Sequence, residues 1–211
     1  MSKAQIKELA ERLQIPFLLH FTRAENIPSI MQHGLYPVSR VGEVCNAPLI
    51  NDHLRLDGHL NGTSTSIAFP NSRMFFKYRN ENPGQAWAVL ALHPSLLWLK
   101  ECAFCKYNAA DIRISAQPLC NLQTFSAFEG LFAESEPPSR VVEKLKAYDP
   151  TQDQAEVMIL DIIEPQLIAG AVYDNAAIKD QYAPHMGDRP QYVNRPNKNI
   201  FAQRRYARLY G

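Results

Sequence analysis

The sequence predicts an α+β fold built on a largely antiparallel or mixed sheet. Three observations carry this. Apolar runs of strand length recur along the chain: PFLLHFT at 16–22, TSTSIAFP at 63–70, AWAVLALHP at 86–94, AEVMILDII at 155–163 and IAGAVYDN at 168–175. Helical periodicity is confined to a few short segments, without the regular β–α–β alternation that a parallel sheet requires. No glycine-rich phosphate loop follows any of the strands.

The elements follow in order. Residues 3–14 place Ile6, Leu9 and Leu13 on one helical face. PFLLHFT is a buried strand, and a helix comes after it. Thr22 and Glu25 have the spacing of a capping box, whereas Pro28 lacks an N–H and favours a start near Asn26. Ile27, Ile30 and Met31 form its apolar face, and Gly34 is its stop. Residues 36–63 carry turn residues and no strong period, a length of irregular chain that is more often functional than idle. NSRMFFKYR at 71–79 reads as an aromatic-bearing helix, and SLLWLKECAFC either continues the preceding strand or turns. A helix is expected around LQTFSAFEGLFAES, between polar connections within 106–153. The chain closes on a basic and aromatic segment, QYVNRPNKNIFAQRRYARLYG.

The 211 residues suit a single domain spanning 1–211. Hydrophobic residues make up 46% and charged residues 20%, which allows a sizeable core. The net charge of +1 points to no partner in bulk, so any basic surface is local. No apolar run is long enough to cross a bilayer, and the opening MSKAQIKELAERLQ is a polar amphipathic helix rather than a signal peptide. A cytoplasmic protein is the expectation, with Cys45, Cys102, Cys105 and Cys120 as thiols.

Five groups of residues are candidates for chemistry. His20 and Thr22 point to the same face of their strand and need polar partners, which a ligand rich in hydroxyls or the backbone itself supplies. Glu156 opens an apolar strand with Gln154 on the same face; it is either a solvated strand end or a site carboxylate held by rigid backbone. Arg55, among His53, Asp57 and His59, can grip a phosphate bidentately or form a surface salt bridge. Cys102 and Cys105 form a single C-x-x-C with no second pair at zinc spacing, so a buried structural pair is expected and no metal site. Finally, Arg195, Lys198, Arg204, Arg205 and Arg208 are interleaved with Phe201, Tyr206 and Tyr210 and preceded by Tyr192, with no acid among the final 17 residues. Cations for phosphates and rings for bases are how single strands are held; the alternative is a segment packed by its rings with its cations in water.

Taken in order, HFTRAENIPSIMQHGL, NDHLRLDGHLNGTSTSIAFPNSRMFFKYR, CAFCKYNAA and QAEVMIL resemble the DarT group of bacterial DNA ADP-ribosyltransferase toxins. The first stretch is similar to the NAD-binding strand–helix of ADP-ribosyltransferases at large, and the ordered set is the specific part. The resemblance implies a sheet split around an NAD cleft with flanking helices. It implies transfer of ADP-ribose from NAD+, as co-substrate, to a base of single-stranded DNA, and a macrodomain antitoxin on a separate chain. Glu156 matches the catalytic glutamate, and Arg55 the catalytic arginine with Arg40 as the alternative. His20 would bond a ribose, Thr22 would hold the nicotinamide end and Asn26 would shape the same pocket. The expected cofactor-binding set is completed by Phe21, Phe69, Arg55 and Arg73, one of the two arginines being needed for the two phosphates. Arg195, Lys198, Arg204 and Arg205 are expected to track the nucleic acid, and residues 106–153 to hold the substrate-recognition loop. Competing readings are an RNA- or protein-directed transferase, an NAD glycohydrolase and a non-catalytic nucleic-acid-binding module.

Overall fold

The computed structural model describes residues 3–44, 60–134, 139–195 and 199–210. Its centre is a seven-stranded sheet. In chain order the strands are β1 (Leu18–Arg23), β2 (Thr63–Ile67), β3 (Trp87–Leu92), β4 (Cys102–Cys105), β5 (Glu156–Ile159), β6 (Ile168–Tyr173) and β7 (Gln191–Val193). Across the sheet the order is β4-β5-β2-β1-β3-β6-β7. Every neighbouring pair is antiparallel except β6 and β7. The sheet is mixed, in agreement with the class read from the sequence.

The helices are α1 (Lys3–Arg12), α2 (Ile27–His33), α3 (Ser72–Glu81), α4 (Leu96–Leu99), α5 (Ile112–Ser115), α6 (Leu119–Leu122), α7 (Phe125–Gly130), α8 (Ala176–Met186) and α9 (Arg204–Tyr210). Helix α1 stops two residues short of its expected end, because Gln14 turns into the left-handed region at φ 56°. A 3₁₀ turn over Ala24–Asn26 leads into α2, with Pro28 in the first turn. Gly34 ends α2 at φ 99°, a conformation that favours glycine, and a β-carbon there would collide with the Ile163 carbonyl. After β3 the chain turns rather than continues: α4 intervenes before β4. The helix expected around 122–135 is the short α7, set off from the preceding α6 by Thr124, which caps α7 by accepting from the Ala127 N–H at 3.0 Å. Helix α8 has no counterpart in the sequence reading. Pro184 lies inside it and only Tyr182 and Met186 are buried, so it carries little helical periodicity.

The sheet is not continuous in its hydrogen bonding. β1 pairs with β3 along its whole length, from Leu18 opposite Leu92 to Arg23 opposite Trp87. With β2 it pairs only at Leu18–Ile67 and Leu19–Ser66. β2 meanwhile pairs with β5 from Thr63 to Thr65. From His20 onward the two halves of the sheet therefore part, and a cleft opens between them. The main core lies under both halves and includes Ile6, Leu18, Leu90, Phe104, Phe128 and Ile159. A separate aromatic cluster of Phe75, Trp87 and Phe201, with Phe21 packed against it, backs the β1–β3 half.

Cys102 and Cys105 are both buried but belong to different packed clusters, Cys102 to the main core and Cys105 to a smaller one with Ala103 and Met158. Burial pushes the Cys102 thiol up to about 12. Among the described residues no group of three or more His, Cys, Asp and Glu side chains is placed to hold a metal ion. Among the same residues, no helix is long and apolar enough to cross a membrane.

Candidate active site

The cleft at the split has a volume of about 1210 Å³ including its open mouth, which is ample for a ligand of drug size or larger. Its walls come from β1, from α2 and the Gly34–Val44 chain beyond it, from β2, from the start of α3 and from the Asn108–Ala110 turn after β4. Glu156 lines it from the first position of β5.

Glu156 is 2% exposed, so it is not a solvated strand end. Its Oε1 accepts from Asn71 Nδ2 and from Asn108 Nδ2, each at 2.9 Å, and its Oε2 accepts from the Ala109 backbone N–H at 3.3 Å. A buried carboxylate requires such donors, since desolvation without them costs several kcal/mol, roughly. Antiparallel pairing with β4 sets Glu156 opposite Cys105, immediately before the turn that brings Asn108 and Ala109 over it. Gln154, expected on the same face, does not line the cleft.

The opposite wall is β1. His20 and Thr22 both line the cleft, as their alternation requires. The His20 ring spans the split: its Nδ1 lies 2.9 Å from the Ser64 carbonyl of β2. The carbonyl can only accept, so Nδ1 carries the proton, and in the neutral ring Nε2 is then an acceptor suited to a hydroxyl. Thr22 is 3% exposed and accepts from Asn26 Nδ2 at 3.0 Å, which ties the strand to the 3₁₀ turn that follows. Strand and turn thus present three polar side chains to one cavity, as the His–x–Thr…Asn spacing led us to expect.

Other expected members are placed differently. Phe21 touches the cleft, but its ring stacks on Phe75 at 4.7 Å between centroids, in the aromatic cluster. Phe69 does not line the cleft; it lies beneath the Arg208 guanidinium, 5.7 Å from ring centroid to Cζ. Arg73 is exposed and pairs with Asp153 at 3.3 Å, outside the cleft lining. Arg40, the alternative catalytic arginine, pairs with Glu43 and Asp161 and also stands outside the lining. Arg55 lies outside the described residues, and among those described no Arg or Lys lines the cleft.

The basic tail requires a correction. Arg204 is 6% exposed and donates to the carbonyls of Pro150 at 2.6 Å and Thr151 at 3.0 Å. Arg208 makes a bidentate pair with Asp149, both bonds 2.7 Å, and the Asp149 side chain is fully buried. These two arginines are fastened to the interior, and Arg204 is not available to a phosphate. A short amphipathic helix hides one of its faces, and α9 hides the face carrying Arg204. Arg205 is exposed with a pair to Glu143 at 3.3 Å, and Arg195 is exposed. Lys198 lies outside the described residues.

Asn71 and Asn108 were missed by sequence reasoning. Asn71 carries a signal in hindsight, since an asparagine directly before an amphipathic helix is an N-cap, and its Oδ1 accepts from the Met74 N–H at 3.2 Å. Asn108 sits in an irregular turn and has no local signal.

Solved structures share this architecture. Over 88% of its length the chain superposes on DarTG of Thermosipho africanus in complex with ADP-ribose, with a TM-score of 0.61 and 14% identity, spanning half (50%) of that longer chain. It superposes equally far on DarT of Thermus sp. 2.9, covering 97% of that chain in complex with ADP-ribosylated ssDNA (TM-score 0.57, 12% identity). For the complex of the same protein with carba-NAD+ the coverage is 98% (TM-score 0.56, 12% identity). No curated protein matches the sequence significantly. Likeness at such identities establishes the fold; the sequence itself establishes the family, because the model for "ssDNA thymidine ADP-ribosyltransferase, DarT" matches residues 19–202, from the strand bearing His20 through the strand bearing Glu156 to the tail. The chain belongs to the DarT family of ssDNA thymidine ADP-ribosyltransferases.

Proposed function

We propose that this chain, as one domain over 1–211, transfers ADP-ribose from NAD+ to thymidine in single-stranded DNA, with Glu156 as its catalytic carboxylate. The observation that carries the reading is the buried Glu156 facing His20, Thr22 and Asn26 across the split of the sheet. The donor set fits the co-substrate: a histidine acceptor and a threonine hydroxyl for sugar hydroxyls and amide, apolar walls from Leu19, Ile30 and Val41, and one fixed carboxylate. NAD+ supplies an activated ribose, whose bond to nicotinamide develops positive charge on the sugar as it breaks. A preorganised carboxylate in a dry cleft stabilises that charge electrostatically, with no reorganisation at the moment of reaction. Glu156 is also the group in the cleft suited to taking the acceptor's proton. His20 orients the ribose while holding β1 to β2, and Thr22 with Asn26 holds the nicotinamide end. Arg55 is assigned to the diphosphate on the strength of the family resemblance.

A base in a duplex is shielded, so a single strand reaches the cleft without unstacking cost. With Arg204 and Arg208 committed to the interior, Arg195, Lys198 and Arg205 are the tail cations proposed to follow the strand. Family membership supports a toxin, acting in the cytoplasm and reversed by a macrodomain antitoxin on a separate chain.

The test is mass spectrometry of thymidine-containing oligonucleotides after incubation with protein and NAD+, in parallel with RNA, protein and no acceptor. DNA gains the mass of ADP-ribose; Glu156→Gln lowers the rate by roughly a hundredfold or more while the melting temperature is retained. Modification of RNA or protein alone, or NAD+ consumption that ignores every acceptor, overturns the assignment.

A further inference from the structure

We infer that Asn71 and Asn108 are positioning residues for Glu156, acting as two amides that cannot flip and that aim the carboxylate across the cleft. The inference rests on the catalytic assignment of Glu156. Each amide has two ends, and in each the oxygen end is already committed. Asn71 Oδ1 accepts from the Met74 N–H and caps α3. Asn108 Oδ1 accepts from the Ala110 N–H at 3.0 Å. An amide whose oxygen is held must present its NH2 on the other side, and both Nδ2 atoms meet the same atom, Oε1, at 2.9 Å. A carboxylate oxygen is acceptor-only and has lone pairs for both.

The backbone is built to deliver these amides from two sides. Between β2 and α3 the chain passes through Ala68 at φ 60°, a left-handed conformation that costs a non-glycine residue on the order of 1 kcal/mol. Two further bonds fix the exit: the Phe69 N–H donates to the Ile67 carbonyl at 2.7 Å, and the Asn71 N–H to Ser66 Oγ at 3.1 Å. Asn71 is 1% exposed at that point. From the other side, the turn after β4 sets Asn108 on Oε1 and the Ala109 N–H on Oε2. The two oxygens are thereby distinguished: Oε1 takes both amides, Oε2 a longer bond from the Ala109 N–H, and the χ angles of Glu156 are held by groups on two different segments. Rotation of the carboxylate by a fraction of an ångström away from the sugar is what these amides prevent.

Asparagine-to-aspartate substitution separates aiming from folding. Asn71→Asp retains the capping oxygen, since aspartate is as good an N-cap, and Asn108→Asp retains the acceptor for the Ala110 N–H. Each replaces the fixed amide donor with a second carboxyl beside Oε1, and the two carboxyls then share a proton or repel, so the aim of Glu156 is lost either way. Measured on the full chain with NAD+ and a thymidine oligonucleotide, at a temperature where circular dichroism shows each variant folded, each should lose about a hundredfold in kcat, with the KM for NAD+ changed by less than about threefold. A purely structural role for the two asparagines predicts wild-type kcat, and that result overturns the inference. If Asn71→Asp melts early, Asn71→Ser keeps a capping oxygen without an amide donor, and the same two outcomes decide. Glu156→Gln is run alongside. If it is inactive while the aspartate variants are fully active, only the positioning role falls; if it is active, the catalytic assignment falls and the inference with it.

Discussion

Removing the Arg208 guanidinium should unfold this protein at a markedly lower temperature, although Arg208 lies in the basic tail and looks like one more tail cation. Its Nε and Nη2 bond the two Asp149 oxygens at 2.7 Å each, and the aspartate side chain is fully buried while that of Arg208 is 16% exposed. Asp149 is otherwise held by the Lys146 backbone N–H at 2.8 Å. In Arg208→Ala that carboxylate is left in the interior without its cation, and breaking a buried pair from one side costs roughly 3–5 kcal/mol. The partial exposure of Arg208 argues for the lower end, about 3 kcal/mol. For a chain of this size each kcal/mol shifts the melting temperature by about 2–4 °C, so a fall of about 6–12 °C is expected. Arg205→Ala is the control: its pair with Glu143 involves an arginine side chain that is 65% exposed, a contact worth about 0–1 kcal/mol, and its melting point should move by less than about 4 °C. Thermal melts by circular dichroism measure both. The cycle with Asp149→Ala should show a coupling of at least about 1 kcal/mol between the two sites. If Arg208→Ala melts like wild type and instead loses affinity for single-stranded DNA, the guanidinium serves the nucleic acid and the reasoning is wrong. The clamp also bears on catalysis, because Asp149, Pro150 and Thr151 are the anchored approach to β5 and Glu156.

Two further outcomes follow from the geometry. His20→Ala should weaken NAD+ binding in calorimetry by about tenfold, the equivalent of one hydrogen bond of about 1–1.5 kcal/mol, and unchanged affinity in a protein whose stability collapses would make His20 a core residue only. In a Cys45→Ser background at pH 8, Cys120, which is exposed, should react quickly with a thiol reagent, while Cys102, its thiol pushed up to about 12 and its thiolate on the order of one in ten thousand, should react only after denaturation; fast labelling of Cys102 in the native protein refutes the burial argument.

The strands were legible because their signal is local. A run such as AWAVLAL is apolar at every position, so it reads as a central strand whatever surrounds it, and β3 is indeed covered by neighbours on both sides. The shared face of His20 and Thr22 follows from the alternation of any strand, and Glu156 follows from a carboxylate at the head of an apolar run together with the family resemblance. What the pattern of residues determines by itself is therefore which segments are strands, which side chains share a face and which family the ordered motifs match. It does not determine which groups meet across the chain. Asn71 and Asn108 are 85 and 48 residues from Glu156, and their convergence on one oxygen depends on β2 and β4 flanking β5. The tail shows the same limit in reverse. Five cations without an acid look like a binding surface in sequence because their counter-charge, Asp149, lies 59 residues before Arg208 and is brought to it only by folding. Local periodicity reports on neighbours within a turn or two of the chain, whereas desolvation and ion pairing act through space, and the tertiary structure alone decides where they fall.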